Sequence, residues 1–274
     1  MDVQVTEGDK LVKDLNQGDF AVSDEGQRQS IVSFAHGDEP VNLIILLDVS
    51  GSMQKYIDQI SAEARDALDH LRPGDRVALM VFAKTTALAQ DFSDNLAETA
   101  RNIGGAVRDW DVGTSTMINS AVVDATHYMD KNAGPNGRRA ILILTDNLST
   151  SYRLTDGQVI REMDKADTVF NAIITGRAIR PRSLEPGKAA NPDYTPANVY
   201  ELAERTGGEW VKAEDAGASF KDMIERIRSR YMLAYHAPEA APGTFRHITV
   251  TLEDAAKKRY PDAELHSRSG YYAE

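Results

Sequence analysis

Residues 48–52 read Asp48-Val49-Ser50-Gly51-Ser52. In extended backbone alternate side chains point the same way, so Asp48, Ser50 and Ser52 can face one point in space. Two distant segments hold more oxygen: Gly113-Thr114-Ser115-Thr116 is a hydroxyl-rich loop, and Leu144-Thr145-Asp146-Asn147 ends an apolar run with a carboxylate. Brought together, Asp48, Ser50, Ser52, Thr116 and Asp146 would supply five oxygen donors and no nitrogen or sulfur. Such a set suits a hard cation, Mg2+ or else Mn2+ or Ca2+, rather than zinc. A plainer reading competes, because Asp and Ser are favoured helix caps and a cap needs no other function. Three oxygen side chains at spacing two behind an apolar run are harder to explain as a cap.

A sheet must position these residues. Residues 41–47 (VNLIILL) are apolar almost throughout, as a strand buried on both faces is. Ile57, Ile60, Ala64, Leu68 and Leu71 then recur at helical spacing, and Pro73-Gly74-Asp75 stops that helix. Further strands are expected over 76–82, 140–145, 168–174 and, briefly, 209–211, with 86–92 as an antiparallel partner of the first of these. Helices are expected over 96–107, 117–129, 156–166, 196–206 and 218–228. Apolar strands alternating with amphipathic helices make a mostly parallel sheet covered on both faces, here a doubly wound α/β domain over residues 39–229. Such sheets place ligands beyond the carboxyl ends of their strands, where all three oxygen-bearing segments fall.

The ends of the chain differ from its middle. Residues 1–38 hold strand candidates at 3–6, 20–22 and 30–34, broken by Gly8, Gly18 and Gly26. Residues 230–274 hold strands at 231–235 and 245–252, then a polar segment ending Gly270-Tyr271-Tyr272. The N-terminal segment 1–38 and the C-terminal segment 230–274 are expected to pack together as a small β-rich domain. The alternative is that each end adds strands to the main body. Residues 176–195 lack apolar periodicity and carry three prolines with Arg177, Arg180 and Arg182, so they read as a long mobile loop.

With these elements in place, Asp48-x-Ser50-x-Ser52, Thr116 and Asp146 resemble the five-residue metal-ion-dependent adhesion (MIDAS) signature of the von Willebrand factor type A domain, a Rossmann-like fold. Thr116 is chosen by register, since Thr116-Met117-Ile118-Asn119-Ser120-Ala121 resembles the family's Thr-x-x-x-x-Ala helix start; Thr114 is the second choice. Asp19-Phe20-x-Val22, residues 31–34 and the Gly-Tyr-Tyr ending resemble the bacterial VWFA-related acidobacterial family. Many relatives carry Gly after the last Asp, where this chain has Asn147, a residue that also tolerates left-handed backbone. The resemblance implies that the two serines and the threonine contact the metal directly while the aspartates often act through water. It implies an open coordination position filled by an Asp or Glu carboxylate of another protein, hence a divalent-cation-dependent adhesion or interaction module and not an enzyme. Trp110 and Asn147 are candidates to touch that partner; packing would explain Trp110 equally well.

Other functions fit less well. Phosphoryl transfer from an Asp48 nucleophile would want a second carboxylate two residues on, where Ser50 stands. Gly113-Thr114-Ser115, with Asp48 and His70 upstream, faintly resembles a subtilisin-type hydrolase, a remote alternative that depends on geometry. A structural module whose metal merely pins three loops is the other alternative. His36, His127, His236, His247 and His266 are scattered, and no Walker-type phosphate loop occurs. A formal net charge of -11 argues against nucleic acid and anionic membranes as partners. The absence of cysteine excludes thiolate zinc sites, disulfides and thiol catalysis. The longest apolar run, 41–47, is too short to span a bilayer. The first residues have neither the basic nor the apolar region of a signal peptide. The expected location is secreted, periplasmic or at the cell envelope, with any signal peptide absent from this chain.

Overall fold

A computed structural model describes residues 1–37, 39–106, 110–134, 136–149, 154–176, 178–181 and 197–273. Of the segment expected to be a mobile loop, residues 177 and 182–195 lie outside the described residues.

The N-terminal strands are β1 (Asp2–Glu7), β2 (Lys10–Leu11), β3 (Phe20–Asp24), β4 (Gln27–Gln29) and β5 (Ile31–His36). The central block follows as β6 (Val41–Asp48), α1 (Gln54–Leu68), β7 (Arg76–Phe82), β8 (Thr86–Ser93), α2 (Leu96–Gly105), α3 (Ile118–Asn132) and β9 (Arg138–Thr145). It continues through α4 (Asp156–Lys165), β10 (Thr168–Thr175), α5 (Val199–Thr206), β11 (Trp210–Ala213) and α6 (Ala216–Arg228). The C-terminal part is β12 (Tyr231–Tyr235), β13 (Phe245–Leu252), α7 (Asp254–Arg259), β14 (Ala263–Ser267) and β15 (Gly270–Tyr272).

The central sheet runs β11-β10-β9-β6-β7-β8, parallel except for β8. All eight residues of β6 are buried, and their alternation divides the core in two. Leu43, Ile45 and Leu47 face α1, α2 and α6, among Ile57, Ile60, Ile103 and Phe220. Ile44 and Leu46 face α3, α4 and α5, among Ile118, Val122, Val159 and Val199. A period of two cannot leave either side polar when both faces are covered, which is why this strand reads as a continuous apolar run. From the β6–β9 pair the chain winds in opposite directions, to β7 through α1 and to β10 through α4. The carboxyl ends of β6 and β9, where Leu47 lies opposite Leu144, therefore open a crevice at the topological switch point.

The ends of the chain do pair with each other, but as two sheets. One runs β14-β1-β12-β5 with β2 on β1; the other runs β15-β13-β3-β4. Val3, Phe20, Val22, Tyr231, Leu233 and Val250 share the core between them. Buried Tyr231 anchors it, its hydroxyl donating to the Val12 carbonyl at 2.8 Å and accepting the Leu15 N–H at 3.1 Å. The polar segment near the C-terminus contains α7 and β14, which the sequence reading did not resolve. Lys257, Lys258 and Arg259 in the last turn of that short helix mask any apolar period.

Buried arginines join this β-rich part to the foot of the central sheet. Arg138, at the start of β9, donates from Nε to Asp2 at 3.0 Å and from Nη1 to the Arg228 carbonyl at 3.3 Å. Arg228 in turn pairs with Asp75 at 2.9 Å, and Asp75 accepts the first N–H of β6, that of Val41, at 2.8 Å. Removing one partner of a buried pair leaves the other charge uncompensated. Arg138→Ala is therefore expected to lower unfolding free energy by roughly 3–5 kcal/mol in urea denaturation. A change below about 1 kcal/mol would mean that the pair adds nothing beyond an exposed one.

Candidate metal centre

Asp48 is the last residue of β6 and is fully buried. Its Oδ1 accepts the Ser50 N–H at 3.0 Å, a side-chain turn that bends the chain out of the sheet. Its Oδ2 accepts the Thr145 hydroxyl at 2.7 Å, tying the ends of β6 and β9 across the crevice. The Ser50 and Ser52 hydroxyls lie 3.4 Å apart, and Ser52 donates to Asp146 Oδ2 at 2.6 Å. Asp146 Oδ1 accepts the Leu148 N–H at 3.0 Å. Asp48, Ser50, Ser52 and Asp146 thus form one connected group from two loops.

Thr116 arrives on a third loop, held down on the β7–β8 turn. The Lys84 and Thr85 N–H groups donate to the Val112 carbonyl at 2.8 and 3.0 Å, and the Met117 N–H donates to the Ala83 carbonyl at 2.8 Å. Gly113 has φ +77°, and a Cβ there would stand 2.8 Å from Lys84 Cβ, so this close approach requires glycine. The Ser149 hydroxyl donates to the Thr116 carbonyl at 3.2 Å, joining the third loop to the segment after Asp146. Thr116 is buried and Thr114 exposed.

None of these side chains caps a helix. The N-cap of α1 is Met53 and that of α3 is Met117, neither with a side-chain cap bond. The hydrolase geometry is not assembled either. His70 follows the far end of α1, a helix about 22 Å long, from the crevice that holds Asp48.

Burial pushes Asp48 up to about 6, and the neighbouring charge of Asp146 adds to the effect. Among the described residues no arginine, lysine or histidine pairs with either carboxylate. A desolvated carboxylate beside a second one, with no counter-charge among the described residues, has the chemistry that suits a cation. The Asp48, Ser50, Ser52 and Asp146 oxygens, with the Thr116 hydroxyl on the neighbouring loop, are donors that suit a hard divalent ion. The Asn147 Oδ1 is a further buried oxygen, without a hydrogen-bond partner among the described residues. Among the described residues no three His, Cys, Asp or Glu side chains gather as a metal cluster, so any ion here would be held by one carboxylate pair and neutral hydroxyls.

The two residues expected to touch a partner separate. Trp110 is 37% exposed, whereas Asn147 is 4% exposed and serves the backbone, at φ +56°. The sequence reading passed over Leu148, 59% exposed beside Asp146, and Thr145, whose hydroxyl holds Asp48. A threonine closing an apolar strand was the signal for the latter.

Comparison with known proteins agrees with this architecture. Residues 43–148 match the von Willebrand factor type A domain. Conserved hypothetical protein BatB from Bacteroides thetaiotaomicron superposes with TM-score 0.51 at 18% identity, over 68% of this chain and 97% of that one. An aerotolerance-related membrane protein from Bacteroides fragilis gives TM-score 0.50 at 16% identity, over 68% and 98%. Proximal thread matrix protein 1 from the mussel byssus, with a zinc-occupied MIDAS motif, gives TM-score 0.53 at 12% identity, over 75% of this chain and half of that one. No curated protein shows significant sequence similarity to the chain. Among the described residues no helix is long and apolar enough to cross a membrane.

The left-handed backbone at Asn147 sets the path from Asp146 to Leu148. Asn147→Gly should therefore leave stability nearly unchanged, while Asn147→Val should cost about 1–2 kcal/mol. Urea denaturation of both variants reads the difference; equal midpoints would show that this backbone conformation is not required.

Proposed function

We propose that the chain is a divalent-cation-dependent protein-binding module, in which the Ser50, Ser52 and Thr116 hydroxyls ligate the ion while Asp48 and Asp146, already engaged in hydrogen bonds, stand behind them and screen only part of its charge. The observation that carries this reading is the buried Asp48 carboxylate beside Asp146 with no cationic side chain among the described residues to balance them. Both Asp48 oxygens are already engaged, by the Ser50 N–H and the Thr145 hydroxyl, so Asp48 is suited to contribute charge more than direct ligation. Asp146 has the same character, with one oxygen on the Leu148 N–H and the other on the Ser52 hydroxyl. Hydroxyl donors bring no charge of their own. When bound, the ion supplies a positive centre that attracts one more anion, and in this reading that anion is an Asp or Glu carboxylate of a partner protein. Ser52 is exposed, and so are Thr114 and Leu148 around it, which leaves room for a macromolecule. The same reading places the chain outside the cytoplasm or at the cell envelope; one protein that shares its fold is described as a membrane protein.

Calorimetric titration with Mg2+, Mn2+, Ca2+ and Zn2+ tests the ion. Zn2+ belongs in the series because the mussel protein carries it at the corresponding motif. Binding is expected for wild type and absent for Asp48→Ala; superposable titration curves would rule out this site. A partner captured in the presence of the bound cation should be lost in EDTA. Changing the partner's acidic residue to the amide should cost about 2–5 kcal/mol. Undiminished capture in EDTA would reduce the ion to a pin for three loops.

A further inference from the structure

The donors proposed above sit on loops, and a loop hydroxyl is only as well placed as whatever fixes its loop. One buried side-chain amide outside the site has its hydrogen-bond partners, among the described residues, on another segment of the chain rather than on its own helix. Asn119 is fully buried in the first turn of α3, three residues after Thr116. Its Nδ2 donates to the Leu154 carbonyl at 2.7 Å and to Asp156 Oδ1 at 2.9 Å. Leu154 and Asp156 belong to the end of the segment that begins at Asp146 and to the first turn of α4. The Asp156 carboxylate also accepts the backbone N–H of Asn198, the N-cap of α5. One amide and one carboxylate therefore clamp the starts of three helices together, inside a layer otherwise made of Ile118, Val122, Val159, Ile160 and Val199.

This arrangement is costly as a means of stability. Asn119 Oδ1 is buried without a hydrogen-bond partner among the described residues, so it is the donors of this residue that the described structure uses. An apolar side chain of similar volume would pack into this layer without that penalty. What the amide gives instead is a fixed lateral position. The Thr116 loop is tied by its carbonyl to Ser149, three residues after Asp146, and the helix it opens is tied by Asn119 to Leu154 and Asp156 at the start of α4. We infer that Asn119 and Asp156 are positioning residues, a strut that sets the spacing between Thr116 and Asp146 and so sets the affinity of the site for its cation. The inference rests on the metal reading, and its test separates the two.

Mn2+ affinity, thermal stability in EDTA, and hydrogen exchange of residues 112–118 and 146–149 in EDTA would be measured for wild type and four variants. Asn119→Ala and Asp156→Ala should weaken Mn2+ binding by about 10-fold and speed exchange in both segments. Asp156→Asn keeps the acceptor for Asn119 and should keep wild-type affinity and exchange. Thr126→Val removes a buried hydroxyl from the same helix that, among the described residues, bonds within its own helix, to the Val122 carbonyl at 2.7 Å. It should change melting without changing Mn2+ affinity. If Asn119→Ala folds poorly, Asp156→Ala at the surface end of the strut carries the comparison. Wild-type affinity and exchange in both alanine variants would overturn the strut. So would weakened Mn2+ binding in Thr126→Val to the same degree, since affinity would then follow stability alone. Wild type that binds no Mn2+ would overturn the metal reading and the strut's effect on affinity. The exchange data would still show whether Asn119 holds the two segments.

Discussion

Two carboxylates stand close together where the strand order of a parallel sheet reverses, one fully buried, with no cationic side chain among the described residues beside them. Much of the surrounding structure keeps that pair in place. The register of β6 and β9 puts Leu47 opposite Leu144, so the residues that follow each strand must meet. Thr145, Ser50 and Ser52 then satisfy carboxylate oxygens that would otherwise be orphaned in a dry crevice. Hydrogen bonds of this kind reduce the cost of two like charges without removing it. An external cation does remove it, and the neutral hydroxyls beside the pair would leave such an ion with unspent positive charge for a second ligand.

The rest of the molecule supplies rigidity at the other edge of the sheet. Arg138, Arg228 and Asp75 connect the foot of β6 and β9 to the end of α6 and to β1, so the strands that carry the carboxylates are held at both ends. A crevice built on loops alone would not hold oxygen donors to within the tolerances that a divalent ion demands. Here the described parts of the loops are tied to anchored points, namely the β7–β8 turn, the ends of β6 and β9, and the first turns of α3 and α4.

The central sheet was legible because burial on both faces produces apolar runs, and β6, β7, β9 and β10 are runs of that kind. Spacing two in Asp48-Val49-Ser50-Gly51-Ser52 carried the first loop of the site, since extended backbone turns spacing into direction. Asn147 was legible as a residue able to adopt φ > 0, whereas its burial was not, because sequence reports conformational tolerance better than exposure. Asn119 was not legible. A lone Asn near a helix start reads as a cap or a surface residue, and its partners Leu154 and Asp156 are 35 and 37 residues away. The division of the terminal strands into two sheets was hidden for a similar reason. Their pairings, such as Val3 with Tyr231 and Val22 with Val250, join opposite ends of the chain, and strand candidates alone do not say which of two sheets each will enter.

The most direct measurement is anomalous scattering from crystals grown with Mn2+. The expected result is one strong peak within bonding distance of the Ser50, Ser52 and Thr116 hydroxyls, with Asp48 and Asp146 behind them and one coordination position open to solvent. A crevice without a peak at saturating Mn2+, or a Lys or Arg side chain folded in to neutralise Asp48 and Asp146, would contradict it.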